Sequence, residues 1–101
     1  MSDSVWFVYL LMCTGQKIYT GVTPDLPNRM RLHREGKGAE FTRMNRPVRL
    51  LAIKPCQDKR AAMQLEAHIK RVPAAGKHLM AELWLQQYPI DQAAQDVLAG
   101  Q

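Results

Sequence analysis

Cysteine is scarce in this sequence: its 101 residues include only Cys13 and Cys56. The two do not form a Cys-x-x-Cys pair, and no paired histidines lie at zinc-ligand spacing. A disulfide framework needs several cysteines, and a structural zinc site needs four ligands at short, regular spacings. The sequence therefore argues against both kinds of scaffold, and we expect two free thiols.

Long apolar runs are also missing. No stretch approaches the roughly 20 apolar residues of a membrane-spanning helix. The N-terminal "MSDS" lacks the basic segment of a secretory signal, so we expect a soluble, cytoplasmic protein. A chain of this length normally folds around one hydrophobic core. We assign residues 1–88 to a single domain and residues 89–101 to a C-terminal tail.

Acidic residues are few between positions 29 and 49, where only Glu35 and Glu40 accompany seven cationic residues. Six of the seven are arginines, whose planar guanidinium group matches two oxygens of a phosphate. This excess accounts for the net charge of +5 and favours a polyanionic partner, although a solvated basic face is the alternative. The candidate nucleic-acid-binding residues are Arg31, Arg34, Lys37, Arg43, Arg46 and, further along the chain, Lys70.

Three segments have the composition of strands. "VWFVYLLM" and "KIYTGV" flank the turn residues "CTGQ" and predict an antiparallel hairpin. "RPVRLLAIKP" is bounded by prolines, which suits a sheet edge or a bounded third strand.

Helical signals separate and follow these strands. Asp25 and Asp58 are candidate N-caps, for a helix over residues 26–35 and for an amphipathic helix that ends near residue 71. "AEFTR" predicts one helical turn or a structured loop, and "AAGKHLMAELWLQQY" predicts a last helix with Leu79, Leu83 and also Trp84 buried. "DQAAQDVLAGQ" is interpreted as end material that holds at most a weak helical turn. The expected fold class is α/β (α+β): a small three-stranded antiparallel sheet flanked by helices.

Several short motifs occur in the order that they have in one enzyme superfamily. "VYL" (8–10) and "YTG" (19–21) match the two halves of a signature, and "YTGVTPDLPNRMRLH" extends the second half to residue 33. "GKGAEFTR", "RPVRL" and "EAHIK" follow. Over residues 5 to about 72, the chain resembles the GIY-YIG endonuclease superfamily, specifically its small stand-alone bacterial members.

The resemblance implies a metal-dependent endonuclease that hydrolyses DNA. The catalytic residues carried over to this sequence are Tyr9, Tyr19, Arg29, His33 and Glu66. A guanidinium fork can hold a phosphate oxygen, and Glu66 can bind a single Mg²⁺ or Mn²⁺ ion, since hydrated Mg²⁺ often needs only one or two carboxylates. The implied partners are DNA, including branched or single-stranded forms, and a protein that supplies target specificity; the implied pathway is DNA repair or processing.

Two aspects of this site are open from the residues alone. The hairpin brings Tyr9 and Tyr19 to one face only if its loop has an odd number of residues or contains a bulge. The resemblance favours Tyr19 or Tyr9 as the general base, with His33 orienting water or phosphate. His33 itself is the alternative base, because histidine ionises near neutral pH. We expect Arg29 and Glu66 at exposed positions that face a cleft.

The same residues also have structural interpretations. Tyrosine is a common strand residue, Arg29 and His33 lie four apart and could share a solvated helix face, and Glu66 could pair with Lys70. No asparagine follows Asn45, whereas family enzymes often have one beyond the glutamate. This departure favours the alternative function, a catalytically weak or silent nucleic-acid-binding module.

Overall fold

The computed structural model describes residues 5–100, which form three strands and five helices. The strands are β1 (Trp6–Cys13), β2 (Lys17–Thr23) and β3 (Pro47–Cys56). The helices are α1 (Leu26–Arg34), α2 (Glu40–Met44), α3 (Lys59–Lys70), α4 (Ala74–Gln87) and α5 (Gln92–Leu98). The predicted α/β (α+β) class, with a three-stranded antiparallel sheet flanked by helices, is confirmed.

The sheet has the strand order β2-β1-β3, and both pairs of strands are antiparallel. The central strand β1 is almost continuously apolar, and residues 8–11 are fully buried, because helices cover both of its faces. β3 lies at an edge, in agreement with its terminal prolines, which cannot donate to a neighbouring strand.

A three-residue turn sets the register of the hairpin. Thr14–Gln16 connect β1 to β2, and Gly15 has φ 73°, a left-handed conformation that glycine adopts without steric cost. The register pairs Tyr9 with Gly21 and Leu11 with Tyr19. Because the turn has an odd number of residues, Tyr9 and Tyr19 lie on the same face of the sheet, diagonally across the two strands.

Two hydrophobic layers follow from the alternation of side chains along β1. Tyr9 and Leu11 belong to a cluster that α1 and α5 cover, whereas Val8 and Leu10 belong to a second cluster that α3 and α4 cover. The face of the sheet that carries both motif tyrosines is therefore the one over which α1 lies.

The buried side of α4 differs from the prediction. Leu79 and Leu83, which the sequence predicts to be buried, have 59% and 49% of their surfaces exposed. Trp84, which is also predicted to be buried, packs against the sheet together with Ala81. The prediction is wrong for the two leucines because apolar residues occur on nearly every side of this helix, so helical spacing alone does not select one face.

The segment interpreted as end material forms α5. Asp91 caps this helix by accepting a hydrogen bond from the Ala94 N–H at 3.0 Å, and Ala94 and Leu98 are buried in the same cluster as Tyr9. The Gln95 side chain bonds both the N–H and the carbonyl of Leu50, at 2.8 and 2.9 Å. The helical turn expected here is therefore present, but the interpretation as end material is wrong, because seven residues form a stable helix only through such tertiary contacts.

Two simpler predictions concern the thiols and the membrane. Cys13 is buried and Cys56 is partly buried, and both are free, as expected. Among residues 5–100, no helix combines the length and the apolar composition that crossing a membrane requires.

Candidate active site

Helix α1 places two side chains beside Tyr9. The helix begins after Asp25, whose carboxylate accepts a hydrogen bond from the Asn28 N–H at 3.1 Å. Arg29 and His33 follow on the same side of the helix, one turn apart. Both contact the hydroxyl of Tyr9, so the shared helix face predicted from their spacing points to the sheet.

The Tyr9 hydroxyl connects these two residues. Its oxygen lies 2.7 Å from Nε2 of His33 and accepts a hydrogen bond from Nε of Arg29 at 3.3 Å. Nη2 of Arg29 also donates to the carbonyl of Gly38 at 2.8 Å. A guanidinium has five N–H donors, and two of them are used here. Arg29 is partly buried rather than exposed, and its other donors are held in place for a ligand.

Charge states in this cluster follow from burial and contacts. Burial tends to lower the pKa of Arg29, but the hydroxyl groups of Tyr9 and Tyr19 raise that pKa above its ordinary value, so the guanidinium stays cationic. Burial raises the pKa of Tyr9 well above its ordinary value; the bond from Arg29 opposes this effect, and the charges of Tyr19 and Glu66 add to it. Tyr9 is therefore a neutral phenol at neutral pH.

His33 is enclosed between Tyr9 and helix α2. Only 1% of its surface is exposed, its Nδ1 lies 2.8 Å from Oγ1 of Thr42, and the Thr42 hydroxyl donates to the Ala39 carbonyl at 3.1 Å. Burial, followed by the charge of Arg29, lowers the pKa of His33 to about 4. The expectation that His33 orients water or phosphate does not fit this geometry, since the ring is buried and both nitrogens have protein partners.

Tyr19 is the more accessible motif tyrosine. It is partly buried, whereas Tyr9 is fully buried. The centroid of its ring lies 6.2 Å from that of Tyr9 and 5.3 Å from that of His33. The exposed ring of Phe41 lies 5.8 Å away. An aromatic cluster thus extends from the buried Tyr9 to the surface, with Tyr19 between the two.

Three residues that the sequence reasoning did not assign to the site belong to it. A Cβ atom on Gly21 would lie 2.3 Å from the Tyr9 hydroxyl oxygen, and a Cβ atom on Gly38 would lie 2.3 Å from Nδ1 of His33. Only glycine fits at either position without displacing these side chains. Thr42 is the third, through its bond to His33. All three lie in the motifs "YTG" and "GKGAEFTR", and their presence in these motifs was the signal by which the sequence could have assigned them to the site.

A sequence model of the GIY-YIG catalytic domain matches residues 5–78, the segment that contains every catalytic residue considered above. The chain belongs to the GIY-YIG family. The GIY-YIG domain is characteristic of an endonuclease superfamily, and the predicted resemblance is confirmed.

Similar proteins are small members of the same family. A UPF0213 protein of Cupriavidus necator is 43% identical over 76 residues, which cover 75% of this chain and 83% of the relative. A UPF0213 protein of Oceanobacillus iheyensis is 39% identical over 85 residues, which cover 84% of this chain and 99% of the relative. The solution NMR structure of a UPF0213 protein from Bacillus halodurans is 35% identical, has a TM-score of 0.50, and is matched over 78% of this chain and 84% of that chain.

Glu66, the remaining candidate catalytic residue of this GIY-YIG domain, lies on a different helix from Arg29 and His33. It lies on α3, which packs on the face of the sheet opposite α1, and its Oε2 is 3.6 Å from Nζ of Lys70. Its side chain is 18% exposed, so it is less accessible than expected. Besides burial, its charge raises the pKa of Tyr9. Hydrogen bonds join Tyr9, Arg29 and His33, whereas the contact that the structure gives Glu66 is the ion pair with Lys70.

Residues 5–100 contain no group of three or more His, Cys, Asp or Glu side chains that could hold a metal ion. The carboxylate of Glu66 contributes to the raised pKa of Tyr9. A single carboxylate fits a hydrated Mg²⁺ or Mn²⁺ ion, which completes its coordination with water and phosphate oxygens, and does not fit a zinc ion that needs three or four protein ligands.

The six candidate nucleic-acid-binding residues are all exposed: Arg31, Arg34, Lys37, Arg43, Arg46 and Lys70. Glu35 offsets part of this charge, since it lies 3.1 Å from Arg31 and 3.8 Å from Lys37. Lys37 and Arg43 line a surface cavity of about 260 Å³ together with Gly36, Ala39 and Glu40. This cavity adjoins Gly38, whose carbonyl holds Arg29.

Proposed function

We propose that this GIY-YIG domain is an endonuclease that hydrolyses DNA phosphodiester bonds with the help of a divalent metal ion. The observation that carries this proposal is the position of Arg29: its cationic guanidinium bonds Tyr9 and Gly38, lies beside Tyr19, and keeps free donors. A phosphodiester repels nucleophiles, so its hydrolysis requires such a preorganised positive group.

Arg29 binds the phosphate in this proposal. Two of its donors are bonded to the protein and hold the plane of the guanidinium still. The free donors can then contact the non-bridging oxygens of a phosphate without the loss of side-chain freedom that an unrestrained arginine would incur.

Tyr19 is the tyrosine that contacts the attacking water. Tyr9 is fully buried, and the bond from Arg29 and the ring of His33 occupy its hydroxyl. Tyr19 is partly exposed, so its hydroxyl can contact a water molecule beside the phosphate that Arg29 binds. We therefore assign the general base to Tyr19, and to Tyr9 and His33 the task of holding Arg29.

Glu66 is the residue that would hold the metal ion. A bound Mg²⁺ or Mn²⁺ would neutralise negative charge that develops on the phosphate. The partly buried carboxylate of Glu66 contributes to the raised pKa of Tyr9, which supports this assignment.

The first test is metal-dependent nicking. We expect the purified chain to nick DNA with Mg²⁺ or Mn²⁺ and not with a chelator, and Glu66→Gln to lower the rate by at least about 100-fold, because the uncharged amide binds these ions weakly. Supercoiled, branched and single-stranded DNA are compared as substrates. Glu82→Gln, at an exposed position of α4, is the matched control and should cleave like the wild type. Equal rates for the two variants would remove Glu66 from the site.

The second test concerns the basic surface. DNA affinity should fall steeply with salt, with a slope of log affinity against log salt of about 0.9 per neutralised phosphate on duplex DNA. Arg43→Gln should reduce that slope by about 0.9, the contribution of one phosphate contact. Arg60→Gln, at an exposed position of α3, should leave the slope unchanged. Unchanged slopes for Arg43→Gln would place the nucleic acid elsewhere on the surface.

A binding module without turnover is the second candidate function. The ion pair between Glu66 and Lys70, at 3.6 Å, favours it, because a neutralised carboxylate attracts a metal ion less strongly. Salt-dependent DNA binding without any metal-dependent nicking of the three substrates would support this module and contradict the nuclease.

A further inference from the structure

A line of four hydrogen bonds connects Arg29 to the backbone at the start of α2. Arg29 Nε contacts the Tyr9 hydroxyl at 3.3 Å, and that hydroxyl contacts Nε2 of His33 at 2.7 Å. Nδ1 of His33 contacts Oγ1 of Thr42 at 2.8 Å, and Thr42 contacts the carbonyl of Ala39 at 3.1 Å. Tyr9, His33 and Thr42 are at most 1% exposed, so water does not compete for these bonds.

The direction of the line follows from Tyr9. Within residues 5–100, its hydroxyl has two hydrogen-bond partners, Arg29 and His33. A guanidinium can only donate, so the proton of Tyr9 must point to Nε2 of His33. Nε2 is then an acceptor, and the neutral imidazole carries its own proton on Nδ1.

The proton on Nδ1 needs an acceptor, and the Thr42 oxygen is the one in contact with it. The single proton of the Thr42 hydroxyl then points to the Ala39 carbonyl. In the reverse arrangement, Thr42 would donate to His33 and His33 would donate to Tyr9. The buried proton of Tyr9 would be left without an acceptor, which is unfavourable.

We propose that Thr42 is a positioning residue of this site: its hydroxyl accepts the Nδ1 proton that the Tyr9 bond places on His33, and so holds the imidazole in the line of hydrogen bonds that orients Arg29. The backbone of the same segment reinforces this role. The Gly38 carbonyl binds the other side of the guanidinium, and Gly38 lies so close to the imidazole that a Cβ atom would not fit. The consequence for catalysis rests on the proposed nuclease function, but the form of His33 does not.

Three proteins test this role: the wild type, Thr42→Ser and Thr42→Val. The side chain of valine has nearly the shape of threonine but cannot accept a hydrogen bond, whereas serine keeps the hydroxyl. The ring nitrogen chemical shifts of His33, from long-range ¹H–¹⁵N correlation spectra at pH 7, report which nitrogen carries the proton. Single-turnover cleavage at saturating DNA and the affinity for DNA are measured on the same samples.

We expect Nδ1–H in all three proteins, because the Tyr9 hydroxyl sets that form. In Thr42→Val the Nδ1 proton loses its acceptor, so its ¹H resonance should move upfield, whereas Thr42→Ser should keep the wild-type position. Thr42→Ser should cleave at a rate close to that of the wild type. Thr42→Val should cleave about 10- to 100-fold more slowly, as small displacements of a catalytic group do, with DNA affinity nearly unchanged.

The proposal is overturned if the wild type carries the proton on Nε2, or if the Nδ1 proton of Thr42→Val resonates where it does in the wild type. Equal cleavage rates for Thr42→Val and Thr42→Ser would overturn the positioning role even if that resonance moves. A wild-type protein that shows the Nδ1–H form but cleaves no DNA would instead contradict the nuclease function, and the catalytic part of this role with it. If Thr42→Val does not fold, the wild type and Thr42→Ser decide the form of His33.

Discussion

Tyr19→Phe is expected to slow single-turnover cleavage of DNA by about 10² to 10⁴-fold, the usual contribution of a general base. The hydroxyl of Tyr19 is partly exposed, so its removal should change the free energy of unfolding by no more than about 0.5 kcal/mol. The two quantities are measured by quenched cleavage assays and by urea unfolding of the same protein.

Tyr9→Phe provides the matched comparison, because it removes the other motif hydroxyl. It leaves Nε2 of His33 and Nε of Arg29 without their partner, so we expect a loss of about 1–3 kcal/mol in the free energy of unfolding. Its cleavage rate should fall less than that of Tyr19→Phe. If Tyr9→Phe is the slower enzyme and Tyr19→Phe is nearly as fast as the wild type, our assignment of the base is wrong.

The free energy of unfolding should also decrease between pH 6.5 and pH 4 because of His33. The pKa of His33 is about 4 in the folded protein and about 6.5 in an unfolded chain. The folded state therefore binds fewer protons in this range, and the stability that a neutral His33 contributes is present above pH 6.5 and lost as the pH falls towards 4. A difference of about 2.5 units corresponds to about 3 kcal/mol.

Urea unfolding at several pH values measures this loss for the wild type and for His33→Asn. Carboxylates titrate in the same range in both proteins, so the difference between their two curves isolates His33. Tyr9 and Arg29 lie beside the ring, and the pKa of each is raised above its ordinary value, so neither group titrates between pH 4 and pH 6.5. Two parallel curves would show that His33 titrates normally in the folded protein.

Several parts of the fold were predictable because their signals are local. An aspartate cap before an apolar pattern begins both α1 and α3, at Asp25 and Asp58, where each side chain accepts a backbone N–H. The hairpin and β3 follow from β-branched and aromatic runs bounded by turn residues and prolines. These features act over a few residues and do not depend on what the segment packs against.

The parts that the prediction missed depend on packing. Helix α4 has apolar residues on most sides, and its packing against the sheet buries Ala81 with the predicted Trp84 while Leu79 and Leu83 stay exposed. Helix α5 is too short to be stable by itself, and its burial against α1 and the bonds of Gln95 to β3 stabilise it. The sheet that α4 contacts, and the elements α1 and β3 that α5 contacts, are distant from these two helices in the sequence.

The sequence by itself determined the family, the three-stranded fold and which residue types gather at the site, because ordered motifs and helix caps consist of residues that are close in the chain. Only the tertiary structure decided how the site residues are arranged and which of them are accessible. It showed that the odd turn puts Tyr9 and Tyr19 on one face, that Tyr9 is buried and Tyr19 accessible, and that His33 contacts protein groups on both nitrogens. Burial and hydrogen-bond direction depend on atoms that are distant in the chain, and residue spacing does not contain that information.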